Sequence, residues 1–229
     1  MTDFSESNIL AIDTSSSVLK LALSFGGDRL VKSSEEVKQS HGQFLIKKIG
    51  ELLQSADLDR KEIDALVVSV GPGSFTGLRI GLSAAKGMSV ALDIPLVGVG
   101  MFEVAAYRLG KLDDPVGVVI PLTRDQVFVA AIKDGKSDPA SVAVVSKTTL
   151  VHDWSATQLT GIGGHISTCL PDIANILPPG EIEYDASHLL HLGLEKLERG
   201  DLDDISDLEP AYLQKSQAEL RFEQRHSDK

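Results

Sequence analysis

The chain has 229 residues, 42% hydrophobic and 24% charged, enough for one large or two small globular domains, which excludes a disordered class. Thirty-three acidic against 22 basic residues leave a formal net charge of −11, and a surface of that sign repels DNA and RNA unless its cations gather in one patch. A lone cysteine, Cys169, excludes intrachain disulfides, and without a basic leader or a membrane-length apolar run a cytoplasmic protein is expected.

From the N-terminus, an apolar run over 9–12 ends at Asp13 and the hydroxyl cluster Thr14-Ser15-Ser16-Ser17. Leu19, Leu21, Leu23 and Phe25 then alternate with Val18, Lys20, Ala22 and Ser24, the period of a strand, and Gly26-Gly27 turns the chain into a third strand over 28–37. Leu45, Ile49, Leu52, Leu53 and Ala56 recur at helical spacing, so an amphipathic helix follows this meander. A buried strand over 66–70 runs into Gly71-Pro72-Gly73-Ser74-Phe75-Thr76-Gly77 and a second helix that ends near Leu92. A strand over 95–99 and a helix over 101–109 complete this half.

Lys111-Leu112-Asp113-Asp114-Pro115 reads as a boundary, after which the pattern restarts with a strand over 116–122, a turn at Thr123-Arg124-Asp125 and an alternating strand over 127–132. The echo predicts a duplicated α/β architecture with two lobes, 1–110 and 111–229. Strands near 142–145 and 159–162, a Gly161/Gly163/Gly164 loop and a helix over 186–197 follow. From Gln214 a polar helix is expected, packing back on the first lobe.

The segment from Gly71 to Gly81 is the strongest local signal. It joins a buried strand to a helix N-terminus, where free N–H groups and the helix dipole favour an anion. It lacks the Gly-Lys-Ser/Thr ending of a P-loop, and Gly77 falls one residue late for the dinucleotide fingerprint. Two readings stand: weak phosphate or nucleotide contact through Asp13, Ser15, Gly71, Gly73 and Ser74, or a turn whose glycines permit close packing. Asp13 fits either a metal-bound phosphate or a cap on its turn. His188 and His191 have i, i+3 spacing but no third ligand, so no metal site is assigned. His41 would cap the first helix or meet a partner. No serine has an evident base and no carboxylates pair, so no catalytic residue is assigned.

Along the second helix the polar residues form a narrow stripe, Arg79, Ser83, Lys86 and Ser89. Gly77, Gly81 and Ala85 make a small-residue face, with Leu78, Leu82 and Met88 around it. A helix so apolar needs cover on more than one side, from intrachain helices or from a partner. With Phe44, Leu45 and Ile46 of the first helix, these residues are the expected partner interface, and a homodimer is expected in isolation.

Ile9-Leu-Ala-Ile-Asp13-Thr-Ser15, Gly71-Pro-Gly-Ser-Phe-Thr-Gly-Leu-Arg-Ile-Gly81, Ala85-Lys86-Gly87 and Ile94-Pro95-Leu-Val-Gly98-Val99 resemble the TsaB (YeaZ) family of tRNA threonylcarbamoyladenosine biosynthesis subunits. Leu208-Glu-Pro210-Ala-Tyr212-Leu213 and Ala218-Glu219 are similar to its closing motif, and only 133–185 match loosely. The resemblance implies an actin-like, hexokinase-like (ASKHA) duplicated fold. It also implies a non-catalytic scaffold that supports TsaD, the subunit that transfers a threonylcarbamoyl group from its adenylate to the adenosine beside the anticodon. TsaE, an ATPase, completes the complex, tRNA is met only through it, and this chain alone holds no cofactor, ATP entering with the assembly.

Where TsaD-like chains carry two metal-binding histidines four apart, this chain has Met101 and Ala105, and neither replaces an imidazole. Pro121 stands where the family usually has aspartate, though Arg124 persists. A small-molecule kinase of the same fold is the alternative, suggested by Asp13 and the glycine loop, with Ser15 where such kinases usually have glycine. An M22-like glycoprotease ranks last, having neither metal site nor triad in the sequence.

Overall fold

The computed structural model describes residues 4, 6–37, 41–164, 166–170 and 173–211. Strand β1 (Ile9–Asp13) is buried along its whole length. Its side chains alternate between two cores, Ile9 and Ala11 in one, Leu10 and Ile12 in the other. β2 (Val18–Phe25) and β3 (Arg29–Glu36) continue as an antiparallel meander. β4 (Ala65–Gly71) and β5 (Leu96–Gly100) add in parallel on the other side, giving a five-stranded sheet of order β3-β2-β1-β4-β5. Helices α1 (His41–Ser55) and α2 (Phe75–Leu92) make the crossovers, and α3 (Met101–Leu109) follows β5.

The second half repeats this order. β6 (Val116–Pro121) and β7 (Gln126–Lys133) form a hairpin, and the short β8 (Lys136–Ser137) and β9 (Ala143–Ser146) share the outer edge of β7. β10 (Gln158–Ile162) and β11 (Ile176–Ile182) add in parallel beside β6. α4 (Lys147–Asp153), α5 (Ile166–Cys169) and α6 (Ala186–Arg199) take the places of α1, α2 and α3. The result is a duplicated α/β fold, with one sheet on either side of residues 111–115.

Each half lends its last helix to the other: α3 packs on β7 and β8, and α6 packs on β1, β2, β4 and β5. The exchange fills a middle layer in which Ala11, Val67 and Val99 share one core with Val118, Ile120 and Phe128. Leu45, Ile49, Leu53 and Leu82 of α1 and α2 cover the outer face of the first sheet, and Leu150 and Ile166 of α4 and α5 that of the second. The central strands β1, β4 and β6, covered on both faces, are apolar almost throughout, whereas the edge strand β3 is polar and largely exposed.

Three elements have no clear signature in the sequence. β11 contains Pro178 and Pro179, tolerated because it is the edge strand of its sheet. α4 opens on Lys147-Thr148-Thr149 and is started by its cap, the Ser146 hydroxyl accepting from the Thr149 amide at 3.0 Å. α5 is a single short turn of helix. The polar helix expected from Gln214 lies outside the described residues, as do Tyr212, Leu213, Ala218 and Glu219. Among the described residues no helix is long and apolar enough to cross a membrane.

Candidate interlobe site and partner face

The turn between β1 and β2 meets the start of α2, and here the Asp13 and glycine motifs come together. Asp13 ends β1 with 0% exposure. Its Oδ1 accepts the Ser15 amide at 2.8 Å, its Oδ2 accepts the Tyr184 hydroxyl at 2.8 Å, and Lys20 Nζ lies 3.7 Å from Oδ2. Lys20 also donates to the Tyr184 hydroxyl at 3.1 Å and to the Ser16 hydroxyl at 3.3 Å, with its ammonium 4.1 Å from the centre of the Tyr184 ring. Burial lowers the Lys20 pKa against the pull of Asp13, while burial and then Asp13 raise that of Tyr184 well above the ordinary phenol range. A buried carboxylate is tolerated only with partners of this kind.

Tyr184 escapes a sequence reading because it lies between β11 and α6, 171 residues from Asp13. No local pattern marks it; only the crossing of the chain back to the first sheet brings it there.

The same turn is where the glycine segment packs. An added Cβ would stand 2.4 Å from the Ser15 carbonyl oxygen at Gly73, 2.1 Å from that of Thr14 at Gly77, and 2.2 Å from Thr14 Oγ1 at Gly81. The Ser74 amide donates to the Ser15 carbonyl at 2.7 Å, and the Ser74 hydroxyl caps α2 by accepting from the Gly77 amide at 3.2 Å. Gly71 is buried at the end of β4. The segment therefore holds α2 hard against the turn. Close packing accounts for Gly73, Gly77 and Gly81, and of the groups expected to contact phosphate, Asp13, Ser15, Gly71, Gly73 and Ser74, the Asp13 carboxylate and the Ser74 amide are engaged within the chain.

Much of the expected partner face is covered within the chain. Leu45, Leu78, Leu82 and Ala85 are core residues, and Gly77 and Gly81 face Thr14. The small-residue face points inward, so these six leave the expected interface; α1 and the β1–β2 turn supply the extra cover that α2 needs. Ser89 is buried as well, its hydroxyl donating to the Ile94 carbonyl. The two helices leave outside Phe44 (40% exposed), Ile46 (57%), Phe75 (40%) and Val90 (69%), with Met88 half-buried. The Arg79 guanidinium lies 4.0 Å from the centre of the Phe75 ring. Phe75 and Val90 are missed by periodicity because they stand singly in the polar stripe.

Met101 and Ala105 are packed in the middle layer. His188 Nδ1 lies 3.1 Å from the Asp185 carbonyl at the cap of α6, and His191 stacks 4.9 Å from Tyr107 and 3.3 Å from Glu195. Among the described residues no group of three or more His, Cys, Asp or Glu is placed to hold a metal. The side chain of His41 lies outside the described residues.

Residues 33–158, more than half of the chain, match a family model described as TsaD, tRNA N6-adenosine threonylcarbamoyltransferase. The chain is 28% identical over 227 residues to a tRNA threonylcarbamoyladenosine biosynthesis protein TsaB of Bacillus subtilis, covering 93% of this chain and 97% of that one. It is 26% identical over 224 residues to the TsaB of Escherichia coli, covering 92% and 96%. It superimposes on the solved structure of YeaZ from Pseudomonas aeruginosa with a TM-score of 0.70 at 26% identity, over 90% of this chain and 100% of that one.

Proposed function

The chain belongs to the TsaD domain family and, within it, to the TsaB/YeaZ proteins, and from that membership we propose that it is a non-catalytic subunit of the threonylcarbamoyladenosine-forming machinery. It takes part in threonylcarbamoyladenosine biosynthesis, and its own share is to support TsaD in the transfer to tRNA. The observation that carries this reading is the pair Met101 and Ala105. The resemblance assigns metal-binding histidines to these positions in catalytic chains, and here both are apolar side chains buried in the middle layer. An imidazole there would have to displace core rather than face a ligand.

Two further features support the same reading. Phe44, Ile46, Phe75 and Val90 lie exposed on neighbouring helices, as suits docking to TsaD or to a second copy of the chain. A net charge of −11 leaves tRNA to be gripped by other members of the complex, with TsaE and ATP joining at assembly. The carboxylate that a kinase reading needs, Asp13, is engaged in this closed arrangement by Ser15, Tyr184 and Lys20.

Affinity purification of the full-length chain from its native cell, with partners identified by mass, tests the proposal. TsaD and TsaE are the expected partners. Recovery of the chain without TsaD, from cells in which TsaD is present, contradicts it.

A further inference from the structure

Between β11 and α6 the chain crosses from the second sheet to the first, and all three residues of the crossing are tied to the first half. The Glu183 carbonyl accepts from Arg108 Nε of α3 at 2.8 Å. The Tyr184 hydroxyl donates to Asp13 of β1 and accepts from Lys20 of β2. The Asp185 carboxylate pairs with Lys32 of β3 at 2.7 Å while it caps α6 through the Ser187 amide at 2.8 Å. Helix α3 and strands β1, β2 and β3 thus each hold some part of one tripeptide. Beside it, a turn of the second half comes close to the same place: an added Cβ on Gly163 would lie 3.8 Å from Ser16.

This clustering calls for a physical reason. A buried carboxylate–lysine pair is seldom more stabilising than apolar side chains of the same volume, and the best-attested use of such pairs is to select one arrangement over others. The arrangement at stake here is the angle between the two halves. A crossing segment is where a change of that angle is absorbed, because hinge motion concentrates in a few residues at element ends. The polar network sits on that segment, and the middle layer to either side is apolar.

We propose that residues 183–185 are an interlobe strap and that Tyr184 is its latch. With the latch made, the halves are held closed over the β1–β2 turn, and Asp13 is sealed from solvent and from any ligand. When the Tyr184 hydroxyl lets go, the gap between the Ser15–Ser17 turn and the Gly163–Gly164 turn opens, and Asp13 comes within reach. The strap is an autoinhibitory contact of the fold, separate from the α1/α2 face and independent of whether that face binds TsaD.

Hydrogen exchange read by mass spectrometry on full-length Tyr184→Phe tests this, since the variant keeps the ring and removes only the hydroxyl. Peptides over 13–18, 160–164 and 183–188 are expected to exchange about tenfold faster, with α1 and β4 unchanged. Unchanged exchange in those three segments overturns the proposal. So does a uniform rise along the whole chain, which would make Tyr184 an ordinary packing residue. Should Tyr184→Phe fail to fold, Lys32→Gln poses the same question at the exposed end of the strap. A rise of about threefold confined to the same segments supports the latch, and its absence overturns it.

Discussion

Between Thr14 and Gly81 there is room for a hydrogen atom and nothing larger. Thr14 Oγ1 is buried with no hydrogen-bond partner among the described residues, and it would lie 2.2 Å from a Cβ added at Gly81. Gly81→Ala therefore has to push α2 off the β1–β2 turn, and urea unfolding should show a loss of about 2–3 kcal/mol. Gly87 lies on the exposed side of the same helix with nothing within 4 Å of its would-be Cβ. There the same change removes backbone entropy from the unfolded chain without a clash, and a gain of about 0.5–1 kcal/mol is expected. Equal effects at the two positions would contradict the inward orientation of the small-residue face. The sequence displays these glycines equally; which of them abuts a neighbouring backbone depends on where α2 lands.

At the scale of elements, the junction of β3 with α6 gives the fold an acid-sensitive contact. Burial alone would raise the Asp185 pKa, but the Lys32 ammonium and the Ser187 hydroxyl and amide hold it down to about 2, against an ordinary 3.8. A carboxylate depressed in the folded state stabilises it fully above the unfolded pKa, and that stability drains away as pH falls from about 4 towards 2. The pair is partly exposed, so screening limits its worth to about 1 kcal/mol or less. Acid unfolding of Lys32→Gln should accordingly show a flatter loss of stability below about pH 4 than the parent chain. Identical acid profiles would mean that Lys32 does not hold Asp185.

Elements with strong periodicity are legible in the sequence itself. The β1–β2 alternation, the α1 stripe and the restart after Pro115 each appear where the residues place them. Those that depend on context were not: β11 survives its prolines because it is an edge, and α4 depends on the Ser146 cap more than on its own helix formers. The site was half legible for the same reason. Asp13 and the glycine segment stand out as motifs, but Tyr184, Lys32 and Arg108 act through contacts between elements distant in sequence, and nothing in their local surroundings announces it.

For the whole molecule, duplication and exchange of the last helices produce two sheets around one shared apolar layer. That layer occupies the positions where the resemblance places metal-binding histidines, while the apolar side chains left outside include Phe44 and Ile46 of α1 and Phe75 and Val90 of α2. A chain built in this way is expected to act through a partner rather than on a substrate. The direct measurement is incorporation of labelled threonine into tRNA, with ATP and bicarbonate and with the adenylate supplied, by the complete complex, by the complex lacking this chain, and by this chain alone. The account predicts product from the complete complex, a loss of about tenfold or more when this chain is omitted, and none from the chain alone. Modified tRNA formed by the isolated chain, or full activity in its absence, would contradict it.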